Sequence, residues 1–572
     1  MTEQKEAVAA VPASYAQQRL WFVHESSADR AALNLSGGVA IEGDLDDAGL
    51  VAAVEAVLAR HEVLRSGFRM IDGRLYQVIS PHGARVRTVD VRDEASDEAL
   101  DRVVRAEADT PFDLGRGPLV RVSLARTGET SRALHLAVHH IVVDAWSLGL
   151  LVREVGEALR AVSAGRPWRP PAIELQYADY AAWQEQLADS GALEPHLDFW
   201  RDRLRGMRPL DLPTDHPRSR HAPIRVDSVH REIDGTTADA LRAAGRAAGG
   251  DLFTALLATF CATLSRTLGT ADLVVGSTVA GRTQPQTQDM VGLFANMVAV
   301  RTGVDEAAGF AGLARTTATA WADAYQHQDV PFDQVVALVN DERDTGRHPL
   351  FPVLFQMIPR QEPLEVPGLD ISFLPAPGRP SALDLLVSVV DEGGRLSVSM
   401  EYRSELHDAR TIARTADQWL DLTDRLLAEP DRPLGTFPLQ RWAGDGERTT
   451  LTEPDMRAST PSPAAGLPDT DLLKEALQVW HEVLPGATAE PDTNFFVAGG
   501  SSLQVMVLLS KVDASCGVQV SLERFIEDPT PAHLAAQIGA LRATADEGEA
   551  LLEDVLAGLE EERGTGDRKV TP

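Results

Sequence analysis

Between about residues 441 and 469 the chain stops looking like part of a packed domain. The stretch AGDGERTTLTEPDMRASTPSPAAGLPDT is rich in Pro, Ser, Thr and Gly and holds no aromatic residue. It has too little apolar surface to offset its own ordering and reads as a linker. The 572 residues therefore fold as at least two units, as their number alone suggests. Before the linker, β-rich runs alternate with amphipathic helices. After it, only helix-like runs occur. The expected fold class is α/β (α+β) for the large part and small all-α for the rest.

Composition narrows the function. Hydrophobic residues make up 44% and charged residues 24%, which is globular. The net charge of -31 makes nucleic acid a poor partner. Cys261 and Cys516 lie far apart in apolar runs, so buried thiols are expected, with no disulfide framework and no zinc site. No run of 18 apolar residues occurs, and MTEQKEAVAAVPAS lacks the apolar core of a signal peptide. No membrane contact and a cytoplasmic protein are the expectation.

Residues 47–68 read as one helix, 74–80 and 85–91 as strands. A helix over 251–269 is capped by Asp251 and ended by Gly269, and it leads to a strand at 272–281. After the linker, helices are expected at 471–486, 502–517, 522–528 and 531–543. A last acidic amphipathic run, 547–564, has Leu551, Leu552, Val555 and Leu559 on one side.

In ALHLAVHHIVVDAWSLGLL (133–151), an apolar strand ends in two histidines, and Asp144 follows four residues after the second. Period-two alternation puts His139 and His140 on opposite faces. Asp144 sits where a helix begins, so its carboxylate meets free N–H groups. Imidazole titrates near neutrality, which suits His140 to proton transfer or hydrogen bonding. Taken alone, the pattern fits two core histidines beside a capping aspartate equally well. Opposed faces and the absence of a third ligand argue against a metal. Residues 396–420 echo this plan of strand, gap, Asp and helix. Laying Asp408 over Asp144 places Arg403 and Ser404 at the positions of His139 and His140, as if two similar lobes existed.

Seven blocks then occur in order: SYAQQRLWF, RHEVLRSGF, HHIVVDAWS, YADYAAWQ, VAGRTQPQTQDMVGLFANMVAVR, HQDVPFDQVV and RDTGRHPLFPVLF. Together they resemble the core motifs of condensation domains from nonribosomal peptide synthetases, over about residues 12–440. That resemblance implies two chloramphenicol-acetyltransferase-like lobes (about 12–185 and 186–440) with a tunnel between them. It makes His140 the catalytic histidine, with His139 and Asp144 as structural members of the same motif. Arg282 is the candidate salt-bridge partner of Asp144. The chain departs from the family at Ala145, usually Gly, and at GLFANM. Glycine could serve a positive φ or a close approach of substrate there, whereas Ala is harmless if the position is only early in the helix.

DTNFFVAGGSSLQVM (492–506) resembles the attachment site of peptidyl carrier proteins. The register assigns covalent 4′-phosphopantetheine to Ser502, at a helix start behind two glycines. The implied carrier spans 470–543, after a linker at 441–469. An acidic tail, 544–572, is expected to be a docking element for a downstream synthetase subunit. In that family an adenylation domain stands between the two domains. Here the linker replaces it, which implies loading by an adenylation domain in trans, unless the middle was removed. The implied function is amide-bond formation between an acyl thioester on an upstream donor carrier and an acceptor amine, after priming by a phosphopantetheinyl transferase. The alternatives are an ester-forming or otherwise modified condensation, or a non-catalytic recruitment platform.

Overall fold

A computed structural model describes residues 9–442 apart from 28, 93–95, 219–223, 340–347, 349, 361 and 375–382, and residues 470–543 apart from 486–488, 496–497, 499 and 501. The linker and the run at 547–564 lie outside the described residues. The chain divides into two compact units, one of residues 1–70 and 75–452, the other of residues 71–74 and 453–572.

Two sheets organise the first unit. In the N-terminal lobe five strands lie in the order Asp370–Leu374, Asn34–Glu42, Ser131–His139, Val120–Arg126 and Val86–Asp90. In the C-terminal lobe six strands run Asn296–Gly303, Asp272–Val279, Val353–Ile358, Leu385–Asp391, Leu396–Arg403 and Val226–Ile233. Both sheets are mixed, parallel at Val86–Asp90 with Val120–Arg126 and at Val353–Ile358 with Leu385–Asp391, and antiparallel at most other pairings. Ala9–Pro12, Arg74–Ile79 and Ser66–Ile71 form a small third sheet.

The expected division at about residue 185 is crossed by the chain. Asp370–Leu374 pairs with Asn34–Glu42, Ile371 opposite Ile41. Val366 and the loop residues Met290, Val291, Leu293 and Phe294 are buried in the N-terminal core. Apolar content marked these residues for burial but not for which core. That choice depends on contacts hundreds of residues apart in sequence.

Helix Leu252–Leu268 is capped by Asp251, whose side chain accepts from the Thr254 N–H, and ends at Gly269 with φ 72°. It is apolar on nearly every side because it is buried on nearly every side. Phe260 meets Phe355 of the sheet and Trp419 of helix Ala409–Ala428, each at 5.3 Å between rings. The helix expected over 47–68 stops at Arg60. His61 turns extended there, and its buried ring holds Glu154 of helix Ala145–Ser163 at 2.8 Å. A 3-10 turn, Glu62–Arg65, and the strand from Ser66 follow. A tertiary contact has overridden helical propensity.

The echo between the lobes is structural. His139 and Arg403 each close a strand, and Asp144 and Asp408 each stand at the N-cap of the next helix. They differ in use: Asp144 caps the Ser147 N–H, whereas Asp408 faces His216 at 2.9 Å.

The second unit has helices Thr470–Val483, Ser502–Cys516 and Leu522–Glu527, with helical backbone again over 531–543. Trp480, Phe495, Val505, Leu508, Val512, Phe525, Leu534 and Ile538 fill its core. The Phe495 ring stands edge-on to Trp480 at 4.8 Å. Cys261 and Cys516 are buried free thiols. Among the described residues, no single helix is long and apolar enough to cross a membrane, and no cluster of three metal-binding side chains occurs.

Candidate active site

The site is built on the turn after strand Ser131–His139. The strand ends at His139, and His140 opens the 3-10 turn His140–Val142. This corrects the reading of both histidines in one alternating strand. The His140 N–H bonds the Leu33 carbonyl at 2.8 Å, and the backbone then curls. The turn, not strand alternation, aims His140.

His139 is fully buried. Its Nδ1 accepts the Ile141 N–H at 3.1 Å, so the ring hydrogen sits on Nε2 and is donated to Nδ1 of His24 at 3.2 Å. Burial, followed by the neighbouring His24 and His140, pulls the pKa of His139 down to about 2. Burial is also the main reason that of His24 falls to about 4. Both rings are neutral near pH 7 and pack as core.

His140 is half-buried. Its Nδ1 lies 2.7 Å from the Val143 carbonyl oxygen and must donate to it, which leaves the lone pair on Nε2. Nε2 has no hydrogen-bond partner among the described residues. Burial lowers the pKa of His140; the Val143 carbonyl and Asp144 act against this, and Arg19 adds to it. The outcome is a neutral imidazole in one tautomer, with a basic nitrogen available.

Asp144, 1% exposed, joins the lobes. Oδ1 accepts from the Ser147 N–H at 2.7 Å and from Arg282 Nη2 at 3.4 Å. Oδ2 accepts from the N–H groups of Phe294 and Ala295 at 2.9 and 3.2 Å. The expected Asp144–Arg282 contact is thus the longest of four. Arg282 is also spent elsewhere: Nη2 donates to Ser147 Oγ at 2.8 Å, and Nη1 to the carbonyls of Met290, at 2.7 Å, and Thr287. Its guanidinium lies over the Phe294 ring at 4.1 Å. Ser147 Oγ donates to the Gly292 carbonyl at 2.7 Å and accepts the Gly292 N–H at 3.0 Å.

Sequence motifs marked the segments holding Ser147, Tyr177, Gly292 and Phe294 but gave these residues no task. His24, just beyond SYAQQRLWF, was missed altogether. Ala145 is exposed in the first helical turn. Among the described residues only Asp72 is a non-glycine with positive φ, so the backbone at 145 does not require Gly.

In the second unit Ser502 is the first residue of a fifteen-residue helix with no acidic residue in its first turn. Gly500 donates its N–H to the Phe495 carbonyl at 2.9 Å, and a Cβ there would lie 2.2 Å from the Phe495 ring. Gly499 and Ser501 lie outside the described residues. A tight glycine turn, a helix start and an uncharged first turn fit a covalently held phosphodiester.

Residues 8–443 match the condensation domain family, and residues 474–538 match the phosphopantetheine attachment site family. A linear gramicidin synthase of Brevibacillus parabrevis is 34% identical over 448 residues, 75% of this chain and 6% of that protein. Chondramide synthase of Chondromyces crocatus is 34% identical over 436 residues, 75% of this chain and 11% of that protein. The present chain thus spans a small part of these relatives. Among solved structures, the X-domain from teicoplanin biosynthesis covers 77% of this chain and is itself 99% covered, at TM-score 0.68 and 27% identity. The second unit is a carrier that takes 4′-phosphopantetheine covalently on a serine. The chain belongs to the condensation-domain family of nonribosomal peptide synthetases, with a phosphopantetheine carrier domain behind it.

Proposed function

We propose that this condensation–carrier pair forms an amide between an acyl group held as a thioester on an upstream carrier and an acceptor amine held on its own carrier. The observation that carries this reading is the fixed tautomer of His140, whose Nδ1 is committed to Val143 at 2.7 Å. Nε2 then accepts a hydrogen bond from the amine and takes its proton as nitrogen bonds to the acyl carbon. The carbon–sulfur bond to the donor breaks, and the proton passes to the leaving thiolate. A positioned base of this kind contributes about 10²–10⁴-fold. His139 and Asp144 hold the turn.

Ser502 is the residue we assign to the phosphopantetheine arm, which when bound supplies the thioester tether. Residues 12–440 form the condensation domain, 441–469 the linker, 470–543 the carrier, and 544–572 a docking tail for a downstream synthetase protein. A phosphopantetheinyl transferase primes the carrier, and an adenylation domain in trans loads it.

The test is intact-protein mass spectrometry of the holo protein, loaded with acceptor and offered a loaded donor carrier. Mass transfer onto the Ser502 peptide is expected, and it should vanish in Ser502→Ala and fall steeply in His140→Ala. Transfer that persists undiminished in His140→Ala would sink the assignment. A second reading, recruitment of another protein without catalysis, is favoured by likeness to the X-domain, which has been solved in complex with OxyB. No mass transfer from any donor, together with stable capture of such a partner protein, would decide for it.

A further inference from the structure

Tyr177 is the first residue of helix Tyr177–Asp189 and is 1% exposed. Its hydroxyl donates to the Leu293 carbonyl at 2.5 Å, and Ser14 Oγ stands 2.7 Å away on its other side. Two paths leave this one oxygen. The first runs through the C-terminal lobe: Leu293 lies between Gly292, gripped by Ser147, and Phe294, whose N–H binds Asp144. The second runs through the N-terminal lobe. Ser14 Oγ accepts the Gln17 N–H at 3.2 Å, and Gln17 Nε2 reaches the Ile141 carbonyl at 3.4 Å. Ile141 and Asp144 flank the peptide units that hold the His140 ring, and both paths end there.

The ring of Tyr177 fixes the same loop by shape. A Cβ on Gly292 would lie 1.9 Å from it, and Phe294 stands edge-on to it at 5.0 Å. Burial raises the pKa of the hydroxyl well above its ordinary value, so it remains a donor throughout the working range.

We propose that Tyr177 is a positioning residue for the condensation reaction: it ties the joint between the two lobes to the aim of His140 through the 292–295 loop and through Ser14 and Gln17. This rests on the assignment of His140 as the base. Without the hydroxyl, the turn relaxes and the Val143 carbonyl is no longer held against Nδ1 of His140. The ring can then carry its hydrogen on either nitrogen.

Tyr177→Phe keeps the ring and removes one oxygen. The expected result is a 10- to 100-fold fall in kcat with KM for the loaded donor carrier unchanged. The acid limb of the pH profile should move to lower pH, because the Val143 contact that raises the pKa of His140 is loosened. The His140 Nδ1–H resonance, identified by its absence in His140→Ala, should shift or broaden. Ser14→Ala cuts the second path and should act in the same direction, which covers the case of a poorly folded Tyr177→Phe. Unchanged kcat and pH profile, with or without a lower Tm, would overturn the proposal. If His140→Ala proved fully active, the base assignment would fall instead. The resonance would still judge Tyr177, since an unshifted signal denies it any hold on His140.

Discussion

The ring of His140 and the carbonyl of Val143, three residues on, are bound at 2.7 Å, and this contact decides which nitrogen can act. With Nδ1 occupied, only Nε2 can accept a proton. Burial keeps that nitrogen unprotonated below the pH at which a free histidine would charge. The rate of condensation should therefore fall on the acid side with a midpoint below the ordinary 6.5. His140→Ala should lose both that limb and about 10²–10⁴ of the rate. Single-turnover transfer measured between pH 5 and 8 is the check, and a limb unchanged in His140→Ala would assign it to another group.

Asp144 should matter first to stability. Its two oxygens take four donors, three of them main-chain N–H groups, and its side chain is 2% exposed. Asp144→Ala strands the Arg282 charge and those N–H groups together, at a cost of about 3–5 kcal/mol. Asp144→Asn presents an N–H₂ to donors and should recover only part of the loss. Arg282→Ala leaves Asp144 its backbone partners and should cost less than Asp144→Ala. Equal Tm losses for both alanine variants would show the ion pair, not the loop, to be the main joint.

How much of this was legible beforehand depended on how local the cause was. Asp251 and Gly269 bound their helix because capping and a left-handed residue act within one turn. The pairing of Asp144 with Arg282 is what the resemblance to condensation domains implies, and the two side chains lie 3.4 Å apart. The strand end at His139, the helix stop at Arg60 and the crossing of Asp370–Leu374 were not visible. Each is set by partners distant in sequence: Leu33 for the turn, Glu154 for His61, and Asn34–Glu42 for the strand. Tyr177 and Ser147 stood in recognised blocks, yet their tasks exist only once the 292–295 loop lies beside them.

The His24–His139 pair makes acid stability a test of the buried network. Both pKa values are depressed, to about 4 and about 2, by burial first of all. A base with a lowered native pKa takes up its proton more readily in the unfolded chain. Stability is therefore fully present above about 6.5 and is lost as pH falls toward the native values. For His139 the slope approaches about 1.4 kcal/mol per pH unit. Tm should drop between pH 6.5 and 5, and His139→Asn, which can still accept the Ile141 N–H, should show a flatter drop. An identical slope in that variant would place the acid sensitivity elsewhere, for instance on His407, whose ring is buried with neither nitrogen hydrogen-bonded among the described residues.

The carrier offers a test that leaves the catalytic residues untouched. Gly500 lies two residues before Ser502 and packs so closely on Phe495 that a methyl group would sit 2.2 Å from the ring and 2.7 Å from the Phe495 carbonyl oxygen. Phe495 cannot give way, since its ring is fully buried between Trp480 and Phe525, at 4.8 and 6.0 Å. Gly500→Ala must therefore move the backbone that leads into helix Ser502–Cys516 and misplace the start of that helix. Overpacking of this kind costs about 1–3 kcal/mol, enough to lower the Tm of the second unit by several degrees. Priming by a phosphopantetheinyl transferase, followed by mass, should slow at least tenfold, while Ser501→Ala should prime normally. Normal priming and Tm in Gly500→Ala would mean that the turn does not present the serine, and the assignment of Ser502 would then rest on its register alone.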